Sequence, residues 1–203
     1  MSYLKRVYKF FRNKVSRLHR FYLVYIRKVE WKDIEFFNVS WKKRIGTMVS
    51  LIPATAKSVL DVGCGRMWLR EFLSKDVTYY GLDYTSRSDD TIVCDLNARE
   101  FPDIKTDVVF CSGVIEYIHE ENLRWFFGKI RETAPIFVAS YCIRDYNSSI
   151  RKRKMAFWHN HMYRSEIVEM IEASGFALES EDRVWAMRYS CSRRESERML
   201  PML

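Results

Sequence analysis

Cysteine in this chain is badly placed for either of its structural uses. The five, Cys64, Cys94, Cys111, Cys142 and Cys191, are odd in number and widely spaced, and no Cys-x-x-Cys pair occurs. That excludes a zinc ribbon and argues against a disulfide scaffold. His159 and His161 likewise have no cysteine partner at zinc-site spacing. A reducing, cytoplasmic setting is therefore expected. Long apolar runs are missing as well. The longest, Phe21-Tyr-Leu-Val-Tyr-Ile26, falls far short of the roughly 20 residues that cross a bilayer. No small-residue cleavage site follows it, as one would after a secretory leader.

Acid is absent from the N-terminus. Residues 1–29 hold nine Lys or Arg and no Asp or Glu, and of the 34 basic residues this leaves 25 against 26 acids, so residues 30–203 carry about −1 of the chain's net +8. The basic character belongs to the N-terminal segment, and a nucleic-acid enzyme with a basic groove across its body is not expected. Sparse serine and abundant tyrosine argue against an organellar transit peptide.

The composition is otherwise that of a folded chain: 48% hydrophobic, with 15% aromatic, in 203 residues. That is enough for one core, so disorder is excluded as the overall state. Residues 3–29 place Leu4, Val7, Tyr8, Phe11, Val15, Leu18, Tyr22, Ile26 and Val29 at intervals of three and four. This period predicts an amphipathic helix, and its aromatic stripe and cationic remainder suit an anionic membrane surface. Residues 31–54 read as a second helical stretch and linker ending near Pro53. The domain expectation is thus a basic helical segment and linker over 1–54 and a catalytic body over 55–203.

From residue 58 the pattern changes to short apolar strands at 58–62, 77–82, 91–94, 107–111, 135–141, 176–185 and 187–192. Helices are expected between them at about 66–75, 120–133 and 164–174. This alternation predicts an α/β, doubly wound (Rossmann-like) fold with a mostly parallel seven-stranded sheet and an added N-terminal amphipathic helical segment.

The chemistry gathers at the strand ends. The first strand runs into Asp61-Val-Gly-Cys-Gly65, where glycines let the backbone turn sharply and approach a ligand closely. Asp83 ends the second strand, 22 residues after Asp61, where doubly wound folds place a carboxylate for ribose hydroxyls. The third strand ends in Asp95-Leu96-Asn97. The fourth ends in Ser112-Gly-Val-Ile-Glu-Tyr-Ile118. Ligands bind at this carboxyl edge of open α/β sheets.

With these pieces in order, residues 41–192 resemble the class I S-adenosylmethionine-dependent methyltransferase family. Ser58–Gly65 resembles its first motif, Asp83 its ribose acid, Asp95 with Leu96 its adenine-contacting pair, and Ser112–Ile118 its fourth motif. Tyr163–Phe176 resembles the late helix and strand entry of many small-molecule members. The chain departs from the family where Met67 replaces a frequent third glycine and Tyr117 a common histidine. The resemblance implies S-adenosyl-L-methionine as cofactor, held by Asp61, Gly63, Gly65, Asp83, Tyr84, Asp95, Leu96, Ser112 and Gly113.

If the methyl acceptor is a hydroxyl, its proton must leave near the transition state. His159, His161 and Glu116 are the catalytic candidates, while His119 opens a helix and suits a capping role. No metal site is expected, since Asp89-Asp90 alone does not make one. The cluster Arg151-Lys-Arg-Lys154 fits either an anionic acceptor or a solvated face. The expected activity is O-methylation of a small-molecule or cell-surface glycan acceptor, including a lipid-linked one. The enzyme would work in the cytoplasm or peripherally on the inner face of the membrane. An RNA or protein methyltransferase, or a non-catalytic cofactor-fold partner subunit, are the alternatives. Against the first of these, the Asn-Pro-Pro-Tyr type of motif found in resembling amino-methylating enzymes of nucleic acids is absent.

Overall fold

The computed structural model describes residues 37–146, 149–181 and 186–191, the last by backbone only. The chain divides into two compact units, 1–38 and 39–203. The helix expected over 3–29 lies outside the described residues.

The sheet begins with β1 (Ser58–Val62), whose side chains alternate between two buried faces. Val59 packs with Val108, Phe110 and Val138 on one side, while Leu60 and Val62 join Val109, Cys111, Phe137 and Ala139 on the other. Strands buried on both faces read as continuous apolar runs, which is why their positions were legible. β2 (Thr78–Asp83) and β4 (Val108–Ser112) flank β1 in parallel, β3 (Ile92–Val93) pairs with β2, and β5 (Ile136–Ser140) with β4. Beyond β5 the sheet turns antiparallel through β7 (Ala186–Cys191) and β6 (Phe176–Glu181), giving the order β3-β2-β1-β4-β5-β7-β6. The strand order reverses between β1 and β4, and this is the crevice where such sheets bind ligands.

One face is covered by α1 (Ser40–Val49). Its Met48 is fully buried with Val59 and Val108, so a stretch expected in the linker packs into the body. The opposite face carries α2 (Glu120–Thr133) and α4 (Arg164–Glu172). Leu123, Phe126, Phe127 and Ile130 point inward from the former, Ile167 and Ile171 from the latter. Each residue of this kind, fully buried, contributes roughly 1.5–3 kcal/mol.

The helix expected over 66–75 is absent. Met67 takes a left-handed backbone, φ 54°, and the chain then makes only a 3-10 turn at Trp68–Glu71. The bonds there run from Arg70 N–H to the Met67 carbonyl and from Phe72 N–H to the Leu69 carbonyl. A residue in that region interrupts an α-helix. A short helix not foreseen, α3 (Ile150–Met155), lies in the insert after β5 and is capped by the Ser149 hydroxyl, which accepts from Lys152 N–H. Among the described residues no helix is long and apolar enough to cross a membrane.

Candidate functional site

The turn after β1 is built on Gly63 and Gly65, both at positive φ (72° and 49°). The amides of Gly63 and Cys64 donate to the Leu82 carbonyl at 2.7 and 2.9 Å, folding the turn over the end of β2. Gly63 has no room for a side chain, since a Cβ would sit 2.1 Å from Val114 Cγ2. Gly65 N–H donates 3.0 Å to Asp83 Oδ2, while Oδ1 receives Arg87 Nη2 at 3.2 Å and Thr85 N–H at 3.3 Å. Asp83 and Arg87 are both almost completely buried as an ion pair.

Asp61 lies beside them, 4% exposed, and accepts from the Tyr79 hydroxyl at 2.8 Å. Burial pushes its carboxyl up to about 7, with the Asp83 charge adding to the rise and the Tyr79 hydrogen bond opposing it. Asp95 stands at the next strand end, exposed, and caps a 3-10 turn by accepting from Asn97 N–H at 2.9 Å. Leu96 is turned mostly into the core with Leu82, and Tyr84 is partly exposed next to Asp83.

The other half of the crevice follows β4 and β5. Gly113, φ 70°, donates its N–H to the Ser140 hydroxyl at 3.0 Å. Arg44 of α1 reaches this point: its Nε donates to Ser112 Oγ at 3.0 Å, and a Cβ on Gly113 would meet its Nη2 at 2.6 Å. Glu116 is buried and accepts from Cys142 N–H at 2.9 Å through Oε1, while Oε2 has no hydrogen-bond partner among the described residues. Burial raises its pKa, against the pull of its own and the Cys142 amides and of the Arg44 and Arg153 cations.

His159 N–H donates to the Glu116 carbonyl at 2.8 Å, and its ring stacks on His119 with centroids 4.3 Å apart. Burial, and then the neighbouring His119, lower the His159 pKa. Asn160, fully buried, takes the Tyr141 hydroxyl on Oδ1 at 2.6 Å and donates from Nδ2 to the Ile115 and Ile118 carbonyls at 2.6 and 2.8 Å. The segment carrying both histidines is thus pinned to the turn after β4.

The run 151–154 divides: Arg151, Lys152 and Lys154 are exposed, but Arg153 is fully buried. Sequence reasoning missed Arg44, Arg87, Tyr79, Tyr141 and Asn160, and read Arg153 only as one of a cationic run. None carries a local motif. The polar Asn160 between two histidines was the nearest to a visible signal. Among the described residues, no three His, Cys, Asp or Glu side chains gather where they would hold a metal ion.

No described protein family matches the sequence, and no curated protein is similar to it. Solved structures are similar in fold at low identity. A 1,6-didemethyltoxoflavin-N1-methyltransferase from Burkholderia thailandensis, bound to 1,6-didemethyltoxoflavin and S-adenosylhomocysteine, is 15% identical with a TM-score of 0.60, over 89% of this chain and 90% of that one. Magnesium protoporphyrin IX methyltransferase from Synechocystis, bound to S-adenosylhomocysteine, is 15% identical at 0.53, over 89% and 95%. An S-adenosylmethionine-dependent methyltransferase from Mesorhizobium loti is 16% identical at 0.58, over 72% and 96%. This chain has the fold of the class I S-adenosylmethionine-dependent methyltransferases.

Proposed function

We propose that the protein is an S-adenosyl-L-methionine-dependent methyltransferase that methylates a hydroxyl of a small-molecule or cell-surface glycan acceptor. The observation that carries this reading is the buried Asp61–Asp83 pair under the Gly63–Gly65 turn, at the switch point of the sheet. The donor set fits the cofactor group by group. Asp61 suits its cationic end, and Arg44 at Ser112–Gly113 suits its carboxylate. Asp83 accepts from ribose hydroxyls, as such strand-end acids do. Asp95, exposed at the neighbouring strand end, accepts from the adenine amino group, with Leu96 and Tyr84 beside it. Gly63, Gly65, Ser112 and Gly113 form the backbone walls.

When bound, the cofactor supplies a methyl group activated on a sulfonium. The chain supplies position and a proton acceptor. Holding nucleophile and methyl in line is worth several kcal/mol of the barrier. Glu116, with one carboxylate oxygen uncommitted, and His159 and His161, both with depressed pKa, are the candidates to take a proton from an acceptor hydroxyl.

The finer reading places the enzyme in the cytoplasm. The cationic, aromatic segment 3–29 brings it to anionic lipid, where a lipid-linked glycan would be within reach. An RNA methyltransferase is disfavoured by the charge of about −1 over residues 30–203, and salt-dependent RNA binding would reinstate it. Calorimetry with S-adenosylmethionine and S-adenosylhomocysteine tests the cofactor. The parent chain should bind both. Asp83→Ala should weaken binding at least tenfold, because hydrogen bonds to a charged group contribute roughly 1.5–3 kcal/mol each. No binding by the parent would overturn the methyltransferase reading. Binding without any methylated product in matched extracts would favour a non-catalytic partner subunit.

A further inference from the structure

Arg153 is fully buried, yet every hydrogen bond from its guanidinium goes to a neutral acceptor. Nη1 donates to the Cys142 carbonyl at 2.6 Å, and Nη2 to the Tyr141 hydroxyl at 3.1 Å and the Asn160 carbonyl at 3.5 Å. Nε donates to Nδ1 of His161 at 3.2 Å. The Trp158 ring lies 4.7 Å from the guanidinium carbon. Arginine carries donors only and stays charged. A ring nitrogen that receives its N–H presents a lone pair, so the imidazole proton of His161 belongs on Nε2.

We infer that Arg153 is a positioning residue that fixes His161 as the Nε2–H tautomer, a neutral hydrogen-bond donor and not a base. If the segment after β5 shapes the acceptor side, as in the proposed methyl-transfer reading, such a donor suits a lone-pair oxygen, carbonyl or hydroxyl, on the molecule to be methylated. This deepens the proposed methyl-transfer reading and rests on it for the role of that pocket. The tautomer itself follows from Arg153 alone. A proton leaving an acceptor hydroxyl then cannot pass to His161, whose Nδ1 is engaged and whose Nε2 already holds a hydrogen. It goes to Glu116 or His159.

The surroundings agree. Protonating the ring would set an Nδ1–H against the Arg153 Nε–H. Burial first, then the Arg153, Lys154 and Arg144 charges, hold the His161 pKa below the ordinary imidazole value, with only the Asn160 carbonyl favouring the protonated ring. The same arginine also acts on Glu116. The Cys142 N–H donates to the Glu116 carboxylate and the Cys142 carbonyl accepts from Arg153, so the backbone of one residue ties the donor histidine's anchor to the acid.

Long-range proton–nitrogen correlation NMR on the 15N-labelled full chain tests the assignment, with His161→Gln identifying the signal. The expected spectrum shows a single Nε2–H tautomer at pH 7 that remains neutral below the ordinary midpoint of about 6.5. An Nδ1–H tautomer, or an even mixture, overturns the inference. Arg153→Met should release the ring to a mixture and raise its titration midpoint. An unchanged tautomer in the folded variant also overturns the inference. If Arg153→Met does not fold, Arg153→Lys removes the planar Nε–H while keeping the charge, and serves the same comparison. None of these spectra depends on cofactor binding, so failure of the methyltransferase reading in calorimetry stays distinguishable.

Discussion

Arg44 and Gly113 occupy one space: the guanidinium of the first lies where the second would carry its Cβ, 2.6 Å from Nη2. The helix α1 is thereby joined to the carboxyl end of β4. If this cation holds the cofactor's carboxylate, Arg44→Gln should weaken S-adenosylhomocysteine binding about 10- to 100-fold, the loss of one charge-assisted interaction of roughly 1.5–3 kcal/mol. Gly113→Ala should do the same indirectly, by displacing Arg44 and straining a left-handed φ of 70°. Calorimetry on the two variants checks both. Full affinity in Arg44→Gln would place the carboxylate elsewhere.

Asp61 makes stability and binding depend on pH in opposite directions. Its folded pKa is raised to about 7 from 3.8 by burial, so the folded chain holds a proton that the unfolded chain has released. The stability it contributes is complete below about pH 3.8 and is lost as pH rises toward 7. Urea unfolding across that window should show the parent falling relative to Asp61→Asn. A cationic ligand favours the ionised acid. Cofactor binding should therefore release a proton below about pH 7 and tighten up to that pH. Calorimetry in buffers of different ionisation enthalpy reads that proton directly. Uptake of a proton, or none, would remove Asp61 from the cation's surroundings.

Asn160 is the joint between the turn after β4 and the histidine segment. Truncation to Ala leaves the Tyr141 hydroxyl without its acceptor and the Ile118 carbonyl without its donor, while the Ile115 carbonyl keeps the Ile118 N–H. At about 1–3 kcal/mol for each buried group left unsatisfied, the loss should be roughly 2–4 kcal/mol after relaxation. Denaturant unfolding measures it. A loss below about 0.5 kcal/mol, the size of an ordinary surface substitution, would mean that the segment is held some other way.

Residues 1–29 should carry any affinity for anionic membrane. Each Lys or Arg near such a surface contributes about 1 kcal/mol, and nine are available. Sedimentation with phosphatidylserine-containing vesicles should capture the full chain at low salt, less of it at high salt, and none of a chain lacking 1–29. Failure of the full chain to sediment at low salt would end the membrane reading.

The parts legible in the sequence were those whose burial is uniform along an element. β1 was expected and found at 58–62, because both its faces are covered. α2 was expected and found at 120–133, because Leu123, Phe126, Phe127 and Ile130 repeat at helical spacing behind an acidic first turn. Residues 66–75 misled for the same reason. Leu69, Phe72 and Leu73 carry apolar groups at helix-like intervals, but the left-handed backbone at Met67 is a tertiary choice that periodicity does not reveal. The strand-end acids and glycines stood out because topology dictates them. Arg44 and Arg153 did not. One lay in an apparent linker, the other in a run of four cations, and nothing in a row of like charges tells which is buried.

The placing of β7 has a consequence for how the chain is made. β6 forms its ladder with β7, which lies between it and β5. A chain emerging N-terminus first therefore releases β6 before the strand it must pair with exists. Until residues 186–191 arrive, the outer edge of β5 is open and Phe176–Glu181 has no ladder to join. Open strand edges invite pairing with other chains. Nascent or truncated copies that end between β6 and β7 are thus exposed to aggregation, although almost the whole body is already built.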